Sequence, residues 1–216
     1  LAIFVAFNIG EFVLLRKDFP THELFSVLLA SSVIILTGLI DDILELKPRQ
    51  KMFGIFIASL VVYFLAGIKV RELSLPLLGH LQLGWWSFPL TIFWILALTN
   101  AVNLIDGLDG LATGVTLISL VTMGIVGFFF LKSWQHYVPI MCIMLAACLL
   151  GFLPYNFHPA KIFLGDTGAL YIGFMISVFS LKGLKNVTFV SLLVPILILG
   201  VPITDTVYAM IRRKLN

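Results

Sequence analysis

Long apolar runs separated by short polar segments dominate this chain. Runs without Asp, Glu, Lys or Arg cover 24–40, 52–68, 73–105, 110–131, 137–160, 167–181 and 187–204. A helix needs about 20 largely apolar residues to cross the hydrocarbon core of a bilayer. Backbone groups in lipid must bond internally, and the sequence lacks the short alternating segments of a barrel, so we expect these runs to be helices.

The 73–105 run is too long for one crossing. Its first half contains two prolines and two glycines, which predicts an interfacial loop or hairpin, with a span beginning near Phe88. Trp85 and Trp86 suit a membrane interface. We therefore predict an all-α fold, a multi-pass transmembrane bundle of about eight spans, as one integral-membrane domain over 1–216. The chain starts without Met inside an apolar run, and we expect it to be truncated at both ends.

The composition supports a membrane protein and argues against both a nucleic-acid binder and an internal disulfide. The chain is 60% apolar and 12% charged, with a mean hydropathy of +1.09, so the bilayer must act as its solvent. A net charge of +3 is too small to suggest a nucleic-acid partner. Cys142 and Cys148 are six residues apart in one apolar run, which favours buried thiols over a disulfide.

The alternation of spans predicts which connections share a membrane face. Segments 41–51, 103–110, 155–166 and 205–216 fall on one side, and 16–23, 69–87, 132–136 and 182–186 on the other. The first side carries seven of the eleven acidic residues: Asp41, Asp42, Glu45, Asp106, Asp109, Asp166 and Asp205. Lys and Arg divide seven and seven, so charge alone does not orient the bundle.

The segment GLIDDILELKPRQK places adjacent carboxylates, Asp41 and Asp42, at the end of a span. Adjacent carboxylates repel each other and favour a bound cation or a proton. Lys47, Arg49 and Lys51 follow closely and could hold phosphate. The alternative is a span terminus with ordinary solvated charges.

The segment NAVNLIDGLDG spaces Asn103, Asp106 and Asp109 three residues apart. On a helix these side chains would share one face and could bind a metal ion or the polar edge of a nucleotide. Gly107 and Gly110 would let a ligand approach the backbone. The alternative is a polar helix end punctuated by glycine.

The segment YNFHPAKIFLGDTGAL joins two predicted spans. Pro159 should end the first helix, and Lys161 offers a cation for phosphate. Asp166 should lie at the start of the next helix, as a metal ligand or as an N-cap. Phe163 could stack on a base. His158 could contact a substrate or simply be solvated.

The last segment, PITDTVYAMIRRKLN, has Asp205 at a membrane boundary, followed by Arg212, Arg213 and Lys214. A basic cluster there is more often a lipid-headgroup anchor than a binding site. Together the four segments indicate a phosphate-bearing substrate and a divalent ion handled at the membrane surface.

In order and spacing, these segments resemble the polyprenyl-phosphate N-acetylhexosamine-1-phosphate transferases, or glycosyltransferase family 4. The matching motifs are GLIDD with Lys51, NAVNLIDGLDGLATG, NFHPAKIFLGDTGALYIG and PITDT…IRR, spanning 38–213. The residues of these motifs look closest to those of the undecaprenyl-phosphate N-acetylglucosaminyl 1-phosphate transferase branch, which starts wall teichoic acid or common-antigen synthesis. The phospho-muramoyl-pentapeptide transferase branch is the near neighbour.

The resemblance implies a reaction in which undecaprenyl phosphate attacks a UDP-N-acetylhexosamine, forming a lipid-diphosphate sugar and UMP. It implies Mg²⁺, with Mn²⁺ as the alternative ion, and a homodimer. Because UDP-sugars are cytosolic, it also implies a multi-pass protein of the cell (inner) membrane whose aspartate-rich face is cytoplasmic.

The resemblance also implies a role for each matching residue. Asp166 and Asn103 would hold the metal, and Asp41, Asp42, Lys51 and Asp106 would be catalytic. The substrate-binding residues would be Asp109, Gly107, Leu108, Asn156, Lys161, Phe163, Arg212 and Arg213.

Two other classes fit the pattern less well. A proton- or ion-coupled transporter should carry acids near mid-span, whereas here they cluster at span ends. A CDP-alcohol phosphotransferase should gather its acids in one helix pair, whereas here four segments share them.

Overall fold

The computed structural model describes residues 1–14, 21–75, 79–130 and 137–183 of the 216-residue chain. These residues are predominantly helical, as predicted. The α-helices are α1 (Ala2–Leu14), α2 (Thr21–Leu44), α3 (Pro48–Phe64), α4 (Ser87–Ile105), α5 (Leu111–Phe130), α6 (Tyr137–Asn156) and α7 (Gly165–Gly183).

A short hairpin separates α3 from α4. Strands β1 (Glu72–Leu75) and β2 (Gly79–Gln82) pair antiparallel, with Glu72 opposite Gln82. A 3₁₀ turn, Gly84–Trp86, leads into α4. Of the two predicted alternatives, a loop or a hairpin, the structure shows the hairpin, and α4 begins one residue before the expected Phe88.

Four described helices are long and apolar enough to cross a membrane: His22–Leu44, Gly84–Ile105, Leu111–Phe129 and Tyr137–Asn156. The apolar part of α1 is shorter, α3 has 17 residues, and α7 carries charged residues near both ends. The predicted span at 187–204 lies outside the described residues. The chain is thus a helical membrane protein, and the total of about eight spans stays a prediction.

Helix α7 lies at the centre of the bundle, packed mainly against α2 and α4. Its side chains from Ala169 to Leu181 are buried, which explains why its sequence is apolar on all sides. Close approach depends on glycine: a Cβ on Gly173 would lie 3.0 Å from the Thr99 Cα atom of α4. Small residues at such crossings let helix backbones approach each other.

The two ends of the bundle differ in chemistry. Side-chain contacts join the last turns of α2, α4 and α6 to the first turns of α3, α5 and α7. At the other end, Lys182 of α7 pairs with Glu23 of α2, and the Tyr63 and Phe88 rings meet at 5.1 Å. The predicted convergence of 41–51, 103–110 and 155–166 is confirmed, while 205–216 lies outside the described residues.

Candidate active site

We call the end of the bundle where the last turns of α2, α4 and α6 meet the first turns of α3, α5 and α7 the polar end. Lys51 lies at its centre, in the first turn of α3. Its Nζ donates to Asp166 Oδ1 at 2.7 Å and to Asn103 Oδ1 at 3.3 Å, and it forms an ion pair with Asp41. Asn103 Nδ2 also donates to Asp166 Oδ1 at 2.5 Å. Four helices thus bring three predicted acidic or amide residues onto one ammonium group.

Two members of this cluster are largely shielded from solvent, while the Asp166 side chain is 35% exposed. The Asp41 and Lys51 side chains are only 4% and 17% exposed. Burial opposes the ionised form of Asp166, but hydrogen bonds from Lys51 and Asn103 outweigh it and lower the pKa of that carboxyl. Burial would also lower the pKa of Lys51, but its bonds to Asp166 and Asp41 raise it. Both groups are therefore ionised at neutral pH.

Asp106 behaves differently from these acids. Helix α4 ends at Ile105, and Asp106 is its C-cap residue, with its carboxyl group half-buried. Burial first, and then the charges of Asp166 and Asp42, raise the pKa of Asp106 to about 7. At neutral pH this carboxyl group therefore takes up a proton more readily than an ordinary aspartate does.

Asp42 points to the start of α7. Its carboxylate accepts the backbone N–H of Asp166 at 2.8 Å and of Thr167 at 3.1 Å, together with the Thr167 hydroxyl. Gly165 makes this possible, since its φ is +68° and a Cβ there would lie 3.2 Å from both Asp42 oxygens. Asp42 therefore caps a helix of another segment, a role the sequence interpretation did not assign to it.

Asp109 joins two loops. Its Oδ2 accepts the Ala160 backbone N–H and contacts His158 Nδ1, both at 3.1 Å. The Ala160 bond and then His158 lower the pKa of Asp109. The expectation that Asn103, Asp106 and Asp109 share one helical face is wrong, because the helix stops before Asp106. Asn103 and Asp109 consequently face different partners.

Asn156 is buried rather than open to a substrate, with 3% of its surface exposed. Its Oδ1 accepts the Thr113 hydroxyl at 2.6 Å, and its Nδ2 donates to the Ile162 carbonyl at 3.1 Å. Asn156 therefore positions the 157–164 loop over the end of α5. The predicted role of Asn156 in substrate binding stays a prediction.

The remaining predicted residues within the described ranges are exposed. Leu108 is 70% exposed and Phe163 72% exposed, and Lys161 is exposed as well. A Cβ on Gly107 would meet no atom within 4 Å, so the backbone there is open to a ligand. Arg212 and Arg213 lie outside the described residues.

One contributor was missed from the sequence: Thr113, which holds Asn156. Thr167 was expected to help Asp166 cap α7, and in the structure its hydroxyl donates to Asp42. Thr113 stands 43 residues from its partner, and no local pattern marks that pairing.

The arrangement suits the binding of phosphate groups and a cation. In the described ranges, Lys51 is the one cation in salt-bridge contact with Asp41 or Asp166, and the nearby Asp42 and Asp106 add further acidic groups. Within the same ranges, no three Asp, Glu, His or Cys side chains form a ready metal site. The hard oxygens of Asp41, Asn103 and Asp166 nevertheless are of the ligand type that divalent ions prefer, and the raised pKa of Asp106 shows that the site is rich in negative charge.

Comparison with known proteins bears directly on this site. The sequence model of "Glycosyl transferase family 4" matches residues 24–184, which include every cluster residue described above. The chain belongs to glycosyl transferase family 4. The family predicted from the four segments is therefore confirmed.

Relatives within the family carry related names. A probable undecaprenyl-phosphate N-acetylglucosaminyl 1-phosphate transferase of Bacillus subtilis is 43% identical over 218 residues, all of this chain and 59% of the relative. A phospho-N-acetylmuramoyl-pentapeptide-transferase of Clostridium botulinum is 35% identical over 222 residues, 98% of this chain and 65% of the relative. A Listeria monocytogenes protein of that second name is 34% identical over 192 residues, 83% of this chain and 57% of the relative. The chain thus spans about three fifths of the relatives it matches.

Proposed function

We propose that this family member transfers N-acetylhexosamine 1-phosphate from a UDP-sugar to undecaprenyl phosphate, releasing UMP. The proposal rests on the contacts that Lys51 makes with Asp41, Asn103 and Asp166, where three polar connections meet. Such a partly buried cation among fixed carboxylates can position phosphate groups and offset charge that develops during phosphoryl transfer.

N-acetylglucosamine 1-phosphate is the transferred group we favour. The Bacillus subtilis relative named for that group is 43% identical, against 35% for the Clostridium botulinum relative named for phospho-N-acetylmuramoyl-pentapeptide. Transfer of the pentapeptide-bearing sugar is the second candidate, because that relative aligns with 98% of this chain.

Each group at the polar end has a distinct part in this proposal. Lys51 binds phosphate oxygen, and Asp41 keeps the ammonium aimed at the site. Asp106, with a pKa of about 7, exchanges a proton readily at neutral pH.

The exposed loops would bind the donor. The Phe163 ring and the open backbone at Gly107 and Leu108 receive the uracil, and Lys161 contacts the diphosphate. Asp109 positions this region through Ala160 and His158.

Mg²⁺ is part of the proposal, with Mn²⁺ as the alternative ion. Asp166 and Asn103 would hold it, and when bound it would neutralise diphosphate charge. The polar end would face the cytoplasm, where UDP-sugars occur, and a homodimer stays a prediction.

The direct test is UMP release by the full chain in detergent with undecaprenyl phosphate. UDP-N-acetylglucosamine and UDP-muramoyl-pentapeptide are offered in parallel, each with Mg²⁺ or with a chelator. We expect metal-dependent UMP from the first donor. UMP from the second donor alone would show that the chain transfers the pentapeptide-bearing sugar instead. If folded protein releases no UMP from either donor, the proposal is contradicted.

Asp166→Asn tests the cluster itself. The substitution removes the charge that Lys51 and Asn103 contact, so we expect UMP release to fall about 100-fold or more. Glu45→Gln is the matched control, since it removes an exposed acid from the same end of the bundle. Equal activity in both variants, at equal thermal stability, would exclude Asp166 from the chemistry.

A further inference from the structure

A cavity lined mostly by polar residues lies at the end of the bundle opposite the Lys51 cluster. It has a volume of about 330 Å³ and is lined by Tyr63, Lys69, Arg71, Glu72, Gln82, Gly84 and Ser87. Tyr63 is twelve residues after Lys51 along α3, so roughly 18 Å of helix separates this cavity from the candidate active site. The proposed transfer reaction uses none of these residues.

The cavity carries an excess of positive charge. Lys69 and Arg71 line it together with one acid, Glu72. In the described part of the chain, no salt bridge joins either cation to Glu72, although Lys69 Nζ lies 5.1 Å from the centre of the Tyr63 ring. The ring holds the ammonium beside the cavity without neutralising it.

Ser87 adds a buried hydroxyl to the lining of the cavity. It is 5% exposed, and its hydroxyl makes no hydrogen bond within the described residues. The frame around it is fixed, because Thr91 Oγ1 donates to the Ser87 carbonyl at 2.6 Å and accepts the Val70 N–H at 3.1 Å. A buried hydroxyl without a partner costs free energy, so its presence beside a charged cavity points to a ligand.

The surroundings place this cavity at the membrane interface. Trp85 and Trp86 are 97% and 73% exposed next to it. Tyr63, Phe64 and Phe88 form an aromatic cluster, with ring centres 5.0 to 5.9 Å apart. Exposed indole rings are typical of the headgroup region, and exposed phenyl rings suit the hydrocarbon next to it.

We propose that this cavity binds the headgroup of an anionic glycerophospholipid from the leaflet opposite the acidic end. Lys69 and Arg71 contact the phosphodiester, and the Ser87 hydroxyl donates to one of its oxygens. Glu72 and Gln82 accept hydrogen bonds from headgroup hydroxyls. The net charge of +1 over Lys69, Arg71 and Glu72 matches the single negative charge of such a lipid.

The test uses native mass spectrometry to measure lipid binding to the full chain in nonionic detergent. We expect phosphatidylglycerol to bind about tenfold more tightly than phosphatidylcholine. Lys69→Gln/Arg71→Gln should remove that preference. Lys47→Gln/Arg49→Gln, which removes two exposed cations from the opposite end, should keep it. Equal lipid preference in both double variants would overturn the proposal.

Three further measurements keep the result unambiguous. If the Lys69/Arg71 double variant misfolds, each single variant should weaken phosphatidylglycerol binding about threefold, and unchanged binding would overturn the proposal. Ser87→Ala should also weaken it about threefold without changing charge, and unchanged binding would contradict that contact. Millimolar inorganic phosphate should leave the lipid bound, since displacement would assign the cavity to a free anion instead.

Discussion

Asp41 and Asp42 are neighbours in sequence but serve different partners. Asp41 pairs with Lys51, and Asp42 caps α7 through Asp166 and Thr167. The side chains of successive helix residues point about 100° apart. When Asp41 faces Lys51, Asp42 therefore faces a different partner. The sequence could predict two acids at a polar helix end. It could not divide their roles, because both partners come from distant segments.

Phe163 is the residue we expect to separate donor binding from lipid binding. Its exposed ring would stack on uracil, and base stacking on an aromatic ring contributes about 1–3 kcal/mol. Phe163→Ala should raise the KM for the UDP-sugar about tenfold and leave that for undecaprenyl phosphate unchanged. Phe157→Ala, which removes another exposed ring of the same loop, is the control. Equal rises for both substrates would contradict stacking.

Asp106 gives the polar end a stability that depends on pH. Its pKa of about 7 in the folded protein lies above the ordinary 3.8. The folded state therefore binds this proton more tightly, and the group's contribution to the free energy of unfolding falls as pH rises between those values. Asp106→Asn removes this dependence.

We expect the thermal midpoint of Asp106→Asn, relative to wild type, to be higher at about pH 8 than at about pH 5. Thermal unfolding in one detergent at both pH values measures the difference. A constant offset between the two proteins would show that Asp106 keeps an ordinary pKa.

At the scale of elements, apolar runs predicted the helices more reliably than they predicted where the helices end. Helix α2 continues to Leu44, past the end of the run 24–40, and α3 stops at Phe64, before the run 52–68 ends. The central position of α7 was also not predictable. It depends on Gly38 and Gly173, whose contacts lie on other helices.

Gly38 sets the distance between α2 and α7. A Cβ there would lie 2.4 Å from the Thr167 Cα atom, so Gly38→Ala must push α7 and Asp166 outward. Alanine favours a helix over glycine by about 1 kcal/mol, but overpacking costs about 1–3 kcal/mol. We expect a thermal midpoint several degrees lower and a large loss of UMP release.

Gly151→Ala is the matched control for that change. Gly151 also lies within a helix, α6, and a Cβ there would meet no atom within 4 Å. Its stability should stay equal to wild type or rise slightly, with activity unchanged. Similar losses in both variants would contradict the close contact between α2 and α7.

For the whole molecule, the parity of the connections predicted that the acids converge, because each span reverses the direction of the chain. The membrane environment followed from composition in the same way. The contacts within the polar end did not follow, since Lys51 reaches Asp166 across 115 residues and Asp109 reaches Ala160 across 51. Such pairs become visible only when the bundle is assembled.

Orientation can be measured with single cysteines at the two ends. Glu45→Cys lies at the acidic end and Gln82→Cys in the hairpin, both at exposed positions. In intact cells, a membrane-impermeant maleimide should label the second and not the first. The unsubstituted chain should stay unlabelled, because Cys142 and Cys148 lie within α6. Labelling at position 45 alone would reverse the proposed orientation.

The β1–β2 hairpin also matters for how this protein could be handled. Its strands follow α3 and precede α4, at the end of the bundle away from Lys51. An antibody fragment raised against it would hold the molecule on a sensor surface with the polar end facing the solution. Substrates could then be added and washed away while the protein stays fixed in a single known orientation.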